Sequence, residues 1–126
     1  MSRHVLDSSA ILAVMLLESG SNQVEPLLEG SMVSCVNVAE VFSKLNEKGL
    51  LSESTTADFL LLGLEIVDFD FQQALKAAEL RPLTSHLGLS LGDRSCLALA
   101  MLCNAVAVTA DNAWKTLSFC KVETIR

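Results

Sequence analysis

At 126 residues the chain is long enough to bury one substantial core and too short to divide into two ordinary domains. A hydrophobic fraction of 51% and a mean hydropathy of +0.44 exclude disorder and point to apolar surface available to an oligomer or partner. The net charge of −6 excludes nucleic-acid binding by bulk charge alone, so any role on RNA or DNA must rest on a metal and local basic residues.

Residues 4–6 read as a short strand, and residues 8–17 as a helix that starts directly after Asp7. The apolar run 10–17 falls well short of the roughly 20 residues a membrane span requires. Asp7 before it, Glu18 after it and the lack of a small-residue cleavage site argue against a signal peptide, so the expected location is cytoplasmic, with no membrane involvement. Residues 19–22 form a turn, 23–29 a helix ended by Gly30, and 32–35 a strand. Residues 37–48 read as a helix stopped by Gly49, and Ser52 caps a helix that runs to Leu62 with Gly63 just beyond it. A strand over 65–69 precedes a helix over 70–81 that ends before Pro82. Residues 84–89 are a loop, 91–103 a helix, 105–109 a strand, 112–119 a short helix and 122–125 the last strand. This alternation predicts one α/β domain over residues 1–126: a three-layer α/β/α sandwich with a central, mainly parallel sheet.

Four acids stand where loose surface charge is not expected. Asp7 follows Val5-Leu6, Asp111 follows residues 105–109, Glu40 lies within the apolar stretch 36–42, and Asp93 opens the apolar segment 93–103. A carboxylate beside a buried strand needs a partner, because an unpaired charge is costly to desolvate. The bases are too few and too badly placed to pair with all four, whereas one divalent cation would satisfy them together. In a parallel sheet, sites collect along the edge formed by the strand C-termini. Asp7 and Asp111 fall at strand-to-helix junctions, and Glu40 and Asp93 in the first turn or so of helices read as following junctions of the same kind. The plainer reading is capping: Asp7 and Asp111 as N-caps, Asp93 as the acid of a Ser90–Asp93 capping box, and Glu40 as a solvated acid near a helix start. Capping leaves a carboxylate oxygen free, so the two readings are compatible.

Other chemistry finds little support. Cys35, Cys96, Cys103 and Cys120 contain no C-x-x-C pair and read as small buried hydrophobes. His4 and His86 are isolated, and no glycine-rich phosphate loop is present.

The ordered set Asp7-Ser8-Ser9-Ala10, Val38-Ala39-Glu40-Val41, Leu89-Ser90-Leu91-Gly92-Asp93 and Thr109-Ala110-Asp111 with Trp114 resembles the PIN-domain ribonucleases, most of all the VapC toxins of toxin–antitoxin pairs. The resemblance spans nearly the whole chain. It implies a PIN-like sandwich, Mg²⁺- or Mn²⁺-dependent cleavage of RNA, a homodimer, and inhibition by a small antitoxin protein. It also implies that Asp7, Glu40, Asp93 and Asp111 are the catalytic and metal-site acids, with Ser9 and Thr109 as flanking hydroxyls. Arg94 departs from the small residue that this pattern places after the third acid. It would contact substrate phosphate or pair with one of the acids.

Hard divalent cations prefer oxygen ligands and can activate a water for attack on phosphorus. Among phosphotransfer enzymes, the haloacid-dehalogenase pattern wants an acid two residues after Asp7, where Ser9 stands; a receiver domain wants clustered N-terminal acids, of which only one is present. A catalytically inactive PIN-fold module that binds a protein partner is the alternative, and Arg94 is its motive. For the homodimer, the apolar helical residues Phe59, Leu60, Leu61 and Leu62 form the first candidate surface, with core as their plainer role.

Overall fold

Short β-branched and apolar runs alternate with capped helices, and the computed structural model, which describes residues 3–126, resolves them into a five-stranded sheet in the order β3-β2-β1-β4-β5. The strands are β1 (His4–Leu6), β2 (Met32–Ser34), β3 (Glu65–Val67), β4 (Val106–Thr109) and β5 (Val122–Thr124), and every pairing is parallel. The sheet is therefore parallel throughout. Residues 1 and 2 of the expected domain lie outside the described residues.

Successive strand residues face opposite sides. Val5, Met32 and Ala107 face a core that also holds Ala77 and Leu80, Leu97, Leu99 and Trp114. Leu6, Val33 and Val108 face a second core with Ala10, Ile11, Val41, Leu45 and Phe59. The first layer contains α5 (Phe71–Glu79) and α7 (Leu91–Leu102); the second contains α1 (Ser8–Met15), α2 (Ser21–Val24), α3 (Cys35–Glu47) and α4 (Glu53–Leu60). This is the expected α/β/α sandwich. Among the described residues, no helix is long and apolar enough to cross a membrane.

Several boundaries differ from the sequence reading for local reasons. Helix α1 stops at Met15 because Leu17 adopts a left-handed φ of 55°, and the Glu18 N–H then closes onto the Ala13 carbonyl at 2.8 Å. Helix α3 starts two residues early because Ser34 caps it, accepting from the Val36 N–H at 3.2 Å; Glu40 thereby falls in the second turn. Pro82 does not end helical structure. It occupies the first turn of α6 (Arg81–Thr84), where a missing N–H costs nothing. Residues 112–119 shorten to a 3-10 turn, Asn112–Thr116.

Helix α7 positions a site residue by a route the sequence did not suggest. It does not follow a strand. It leads into β4, which begins at the opposite edge, so its N-terminus starts at the edge where β1 and β2 end. Asp93 reaches the strand C-termini by running toward β4, whereas α1 and α3 leave those termini directly.

Candidate functional site

The β1–α1 junction buries a carboxylate. Asp7 is 3% exposed, and its N–H extends the sheet ladder by donating to the Val108 carbonyl at 2.9 Å. As N-cap of α1, its Oδ1 accepts from the Ser8 N–H at 2.8 Å. Its Oδ2 accepts two hydroxyls, Ser9 Oγ at 2.8 Å and Thr109 Oγ1 at 2.9 Å. Three of about four lone-pair positions are thus occupied, and one on Oδ1 remains.

The same two hydroxyls bind the neighbouring junction. Ser9 Oγ accepts from the Ala110 N–H at 2.9 Å, and Thr109 Oγ1 accepts from the Asp111 N–H at 3.1 Å. Each therefore donates to Asp7 and accepts from the backbone after β4. Asp111 is exposed and caps the 3-10 turn, its Oδ1 accepting from the Ala113 N–H at 3.0 Å. It lies on the same sheet edge as Asp7, at the rim.

Glu40 and Asp93 come from α3 and α7, which pack against each other. Both are partly buried. Asp93 forms the expected capping box: the Ser90 N–H donates to its Oδ2 at 2.9 Å, and its own N–H donates to Ser90 Oγ at 3.2 Å. Glu40 Oε1 accepts from Asn37 Nδ2 at 2.8 Å, and that amide also donates to the Gly92 carbonyl at 3.0 Å. Among the described residues, no hydrogen bond engages Glu40 Oε2, Asp93 Oδ1 or Asp111 Oδ2. Each acid is held by one oxygen and offers the other.

Burial pushes the Asp7 carboxyl up from 3.8 to about 6, opposed by the Ser9 and Thr109 hydrogen bonds and reinforced by the negative charges of Asp93 and Glu40. Those charges act on Asp7 only because the three acids share one region; Asp111 is not among the causes. Among the described residues, no group of three His, Cys, Asp or Glu side chains is close enough to hold an ion directly. The donor set is nonetheless suited to one kind of ion. It is all oxygen, it carries free oxygens on several acids, and one member has an ionisation that a nearby cation would favour. Magnesium-like ions keep several waters and take only one or two direct carboxylates. Zinc, which prefers nitrogen and sulfur in tight tetrahedra, does not fit.

Arg94 does not pair with any of the four acids. Its guanidinium is buried, and Nη1 donates to the Ala77 carbonyl of α5 at 2.8 Å. No ion pair joins it to any acid among the described residues. A long side chain on the face of α7 that packs against α5 cannot also turn toward the sheet edge. Asn37 was missed. The available signal was an amide three residues before Glu40 in an apolar run, a spacing that places the two on one helix face.

Residues 4–119 match the family model described as "PIN domain". The fold is similar to a chain of VapBC2 from Rickettsia felis, a complex bound to a DNA fragment from its promoter, at 23% identity, TM-score 0.74 and 98% coverage of both chains. It is similar to a chain of a toxin–antitoxin complex from Klebsiella pneumoniae at 18% identity, TM-score 0.76 and 98% coverage of both. FitAcB from Neisseria gonorrhoeae gives 22% identity and TM-score 0.73, covering 94% of this chain and 95% of that one. Comparison with curated proteins finds no match. With the family model covering nearly the whole sheet and every acid of the edge, the chain belongs to the PIN-domain family.

Proposed function

We propose that this chain is an Mg²⁺- or Mn²⁺-dependent endoribonuclease acting as the toxin of a toxin–antitoxin pair. PIN domains are generally nucleases, and the structural neighbours include toxin–antitoxin complexes. The observation that carries the reading is Asp7: a buried carboxyl held by Ser9 and Thr109 in the field of Glu40 and Asp93. Asp7 Oδ1, Glu40 Oε2 and Asp93 Oδ1 would hold the ion or its waters, with Asp111 Oδ2 at the rim. The ion supplies a water activated for attack on phosphorus and charge stabilisation on the phosphate oxygens. Ser9 and Thr109 fix the Asp7 carboxylate against rotation, and the Ser90–Asp93 box fixes the start of α7. Arg94 has no part in holding the ion in this reading, since its guanidinium donates to the Ala77 carbonyl.

The partners in this reading are RNA, a second copy of the chain and a small antitoxin, all in the cytoplasm. Leu60 and Leu61 are exposed, whereas Phe59 is buried in the core. The expected dimer surface therefore reduces to the outer side of α4 and the turn that follows it. A cavity of about 410 Å³ lined by Val14, Met15, Leu45, Leu50 and Leu62 offers apolar surface to the antitoxin. Its basic segment would enter the acidic edge, where an Arg can pair bidentately with carboxylates. RNA cleavage assayed with Mg²⁺ or Mn²⁺ and then with chelator tests the reading. Activity that persists in chelator, or in Asp7→Asn, would sink it.

A further inference from the structure

Glu40 is a flexible side chain with no cation beside it among the described residues, yet one of its oxygens has a fixed place. Asn37 Nδ2 donates to Glu40 Oε1 and, from the same nitrogen, to the Gly92 carbonyl. The amide orientation follows from chemistry. Both partners are acceptors, so only the NH₂ end can face them. Asn37 is fully buried, and its Oδ1 has no partner among the described residues. A buried unpaired acceptor is unfavourable, and an apolar side chain at that position would avoid it. The fold thus carries an orphaned oxygen in order to present the donor.

Gly92 supplies the other half. It lies in the first turn of α7 without a left-handed φ, so backbone conformation gives no reason for glycine there. Glycine is also a poor helix former. The reason is room: a Cβ at residue 92 would overlap the Glu40 carboxyl group, both oxygens and the carbon. The overlapping atoms are the far end of a flexible side chain, so an alanine there would displace Glu40 rather than break the helix.

We propose that Asn37 and Gly92 are paired positioning residues that lay the Glu40 carboxylate against the first turn of α7, beside Asp93, with Oε1 tied and Oε2 presented to a divalent cation. Glycine opens the space, and the amide fixes the oxygen within it. The two act on one acid from two helices, so the placement of Glu40 depends on the α3–α7 contact itself. This inference rests on the proposed metal site and adds the residues that orient one of its ligands.

The test uses the purified full chain, Mn²⁺ binding by isothermal titration, and melting temperature, for Gly92→Ala and Asn37→Ala alone and in a Glu40→Ala background. Each single change is expected to weaken Mn²⁺ about ten-fold, in keeping with the loss of a group that orients a ligand. Gly92→Ala is expected to melt no lower than wild type, because alanine is the better helix former. In Glu40→Ala neither change should weaken Mn²⁺ further, since the ligand they position is gone. Wild-type Mn²⁺ affinity in both single variants would overturn the inference. An effect of equal size with and without Glu40, or a Gly92→Ala chain that unfolds even in the Glu40→Ala background, would also overturn it, because residue 92 would then be small for packing alone. A wild-type chain that binds Mn²⁺ without cleaving RNA would remove the ribonuclease reading and leave this inference standing.

Discussion

The junctions after β1 and β4 begin alike and end in opposite environments. Each closes a central strand of the sheet with an Asp whose Oδ1 caps the following turn. Asp7 is buried and Asp111 is exposed. The difference lies in what the next element does. Helix α1 runs back over the sheet with Ala10, Ile11 and Ala13 in the core, covering Asp7, whereas the turn after Asp111 is a short 3-10 segment that leaves it uncovered. Ser9 and Thr109 then join the two junctions, each donating to Asp7 and accepting from the backbone after β4. Capping signatures in a sequence are therefore equivalent at two positions that differ in burial, and the length of the following helix decides which carboxylate is covered.

The largest expected effect breaks the buried member. Asp7→Asn keeps the shape of the junction and removes the negative ligand. RNA cleavage in Mg²⁺ or Mn²⁺ should fall by more than about a hundred-fold, beyond the range typical for residues that only orient a ligand. Far-ultraviolet circular dichroism should be unchanged. Cleavage at the wild-type rate would remove Asp7 from the site.

A second effect separates the junctions through pH. In chelator, folded Asp7 titrates near 6 and the unfolded chain near 3.8, so the folded state holds its proton more tightly. The stability associated with this group is fully present below about pH 4 and is lost as pH rises through about 6, a change of about 3 kcal/mol for a shift of that size. Urea unfolding from pH 4 to 7 should show this loss in wild type and its absence in Asp7→Asn. Parallel curves for the two proteins would mean that Asp7 is not desolvated.

Thr109→Val tests the bridge between them. It preserves shape and removes one hydroxyl, which leaves Oδ2 of Asp7 short of a donor and the Asp111 N–H without its acceptor. A loss of about 2 kcal/mol in urea is expected, because the Asp7 carboxylate that loses a donor is buried. The Asp7 carboxyl should also rise further, since a hydrogen bond to its charged form is gone. A change within error on both counts would show the two junctions to be independent.

The placement of the acids along one sheet edge was legible because strand-to-helix junctions in a parallel sheet all open on one edge, and that logic needed only the alternation of elements. It succeeded for Asp93 despite a wrong route, since α7 reaches the edge by leading into β4. It does not orient Arg94, because sequence order gives no bearing around a helix axis, and the residue faces α5. Asn37 and Gly92 were harder to read for a related reason. Their significance is a contact between α3 and α7 across 55 positions of sequence; the spacing of Asn37 and Glu40 marks a shared helix face but not that contact, and Gly92 has no local signature at all. The helix limits that moved, at Met15 and Cys35, did so through backbone closures at Leu17 and Ser34 that apolar periodicity does not encode.

The smallest effect concerns the exposed member, where capping and chemistry must be separated. Asp111→Ala removes both the cap and the rim carboxylate, and loss of such a cap costs about 1 kcal/mol. Asp111→Asn keeps a side-chain oxygen to accept from the Ala113 N–H, so its stability should stay within a few tenths of a kcal/mol of wild type. If Asp111 only caps, activity will follow stability: Asp111→Asn will behave as wild type, and Asp111→Ala will lose activity only where it begins to unfold. If Oδ2 contributes to the metal site, the two variants will lose activity together despite their different melting temperatures. The proposed site predicts the second pattern, with a smaller loss than for Asp7→Asn because a rim carboxylate in water is screened and acts on the ion through solvent. Melting curves and cleavage rates on the same preparations distinguish the two. A wild-type rate for Asp111→Asn would confine the site to Asp7 and the two acids, Glu40 and Asp93, whose charges act on it within the fold.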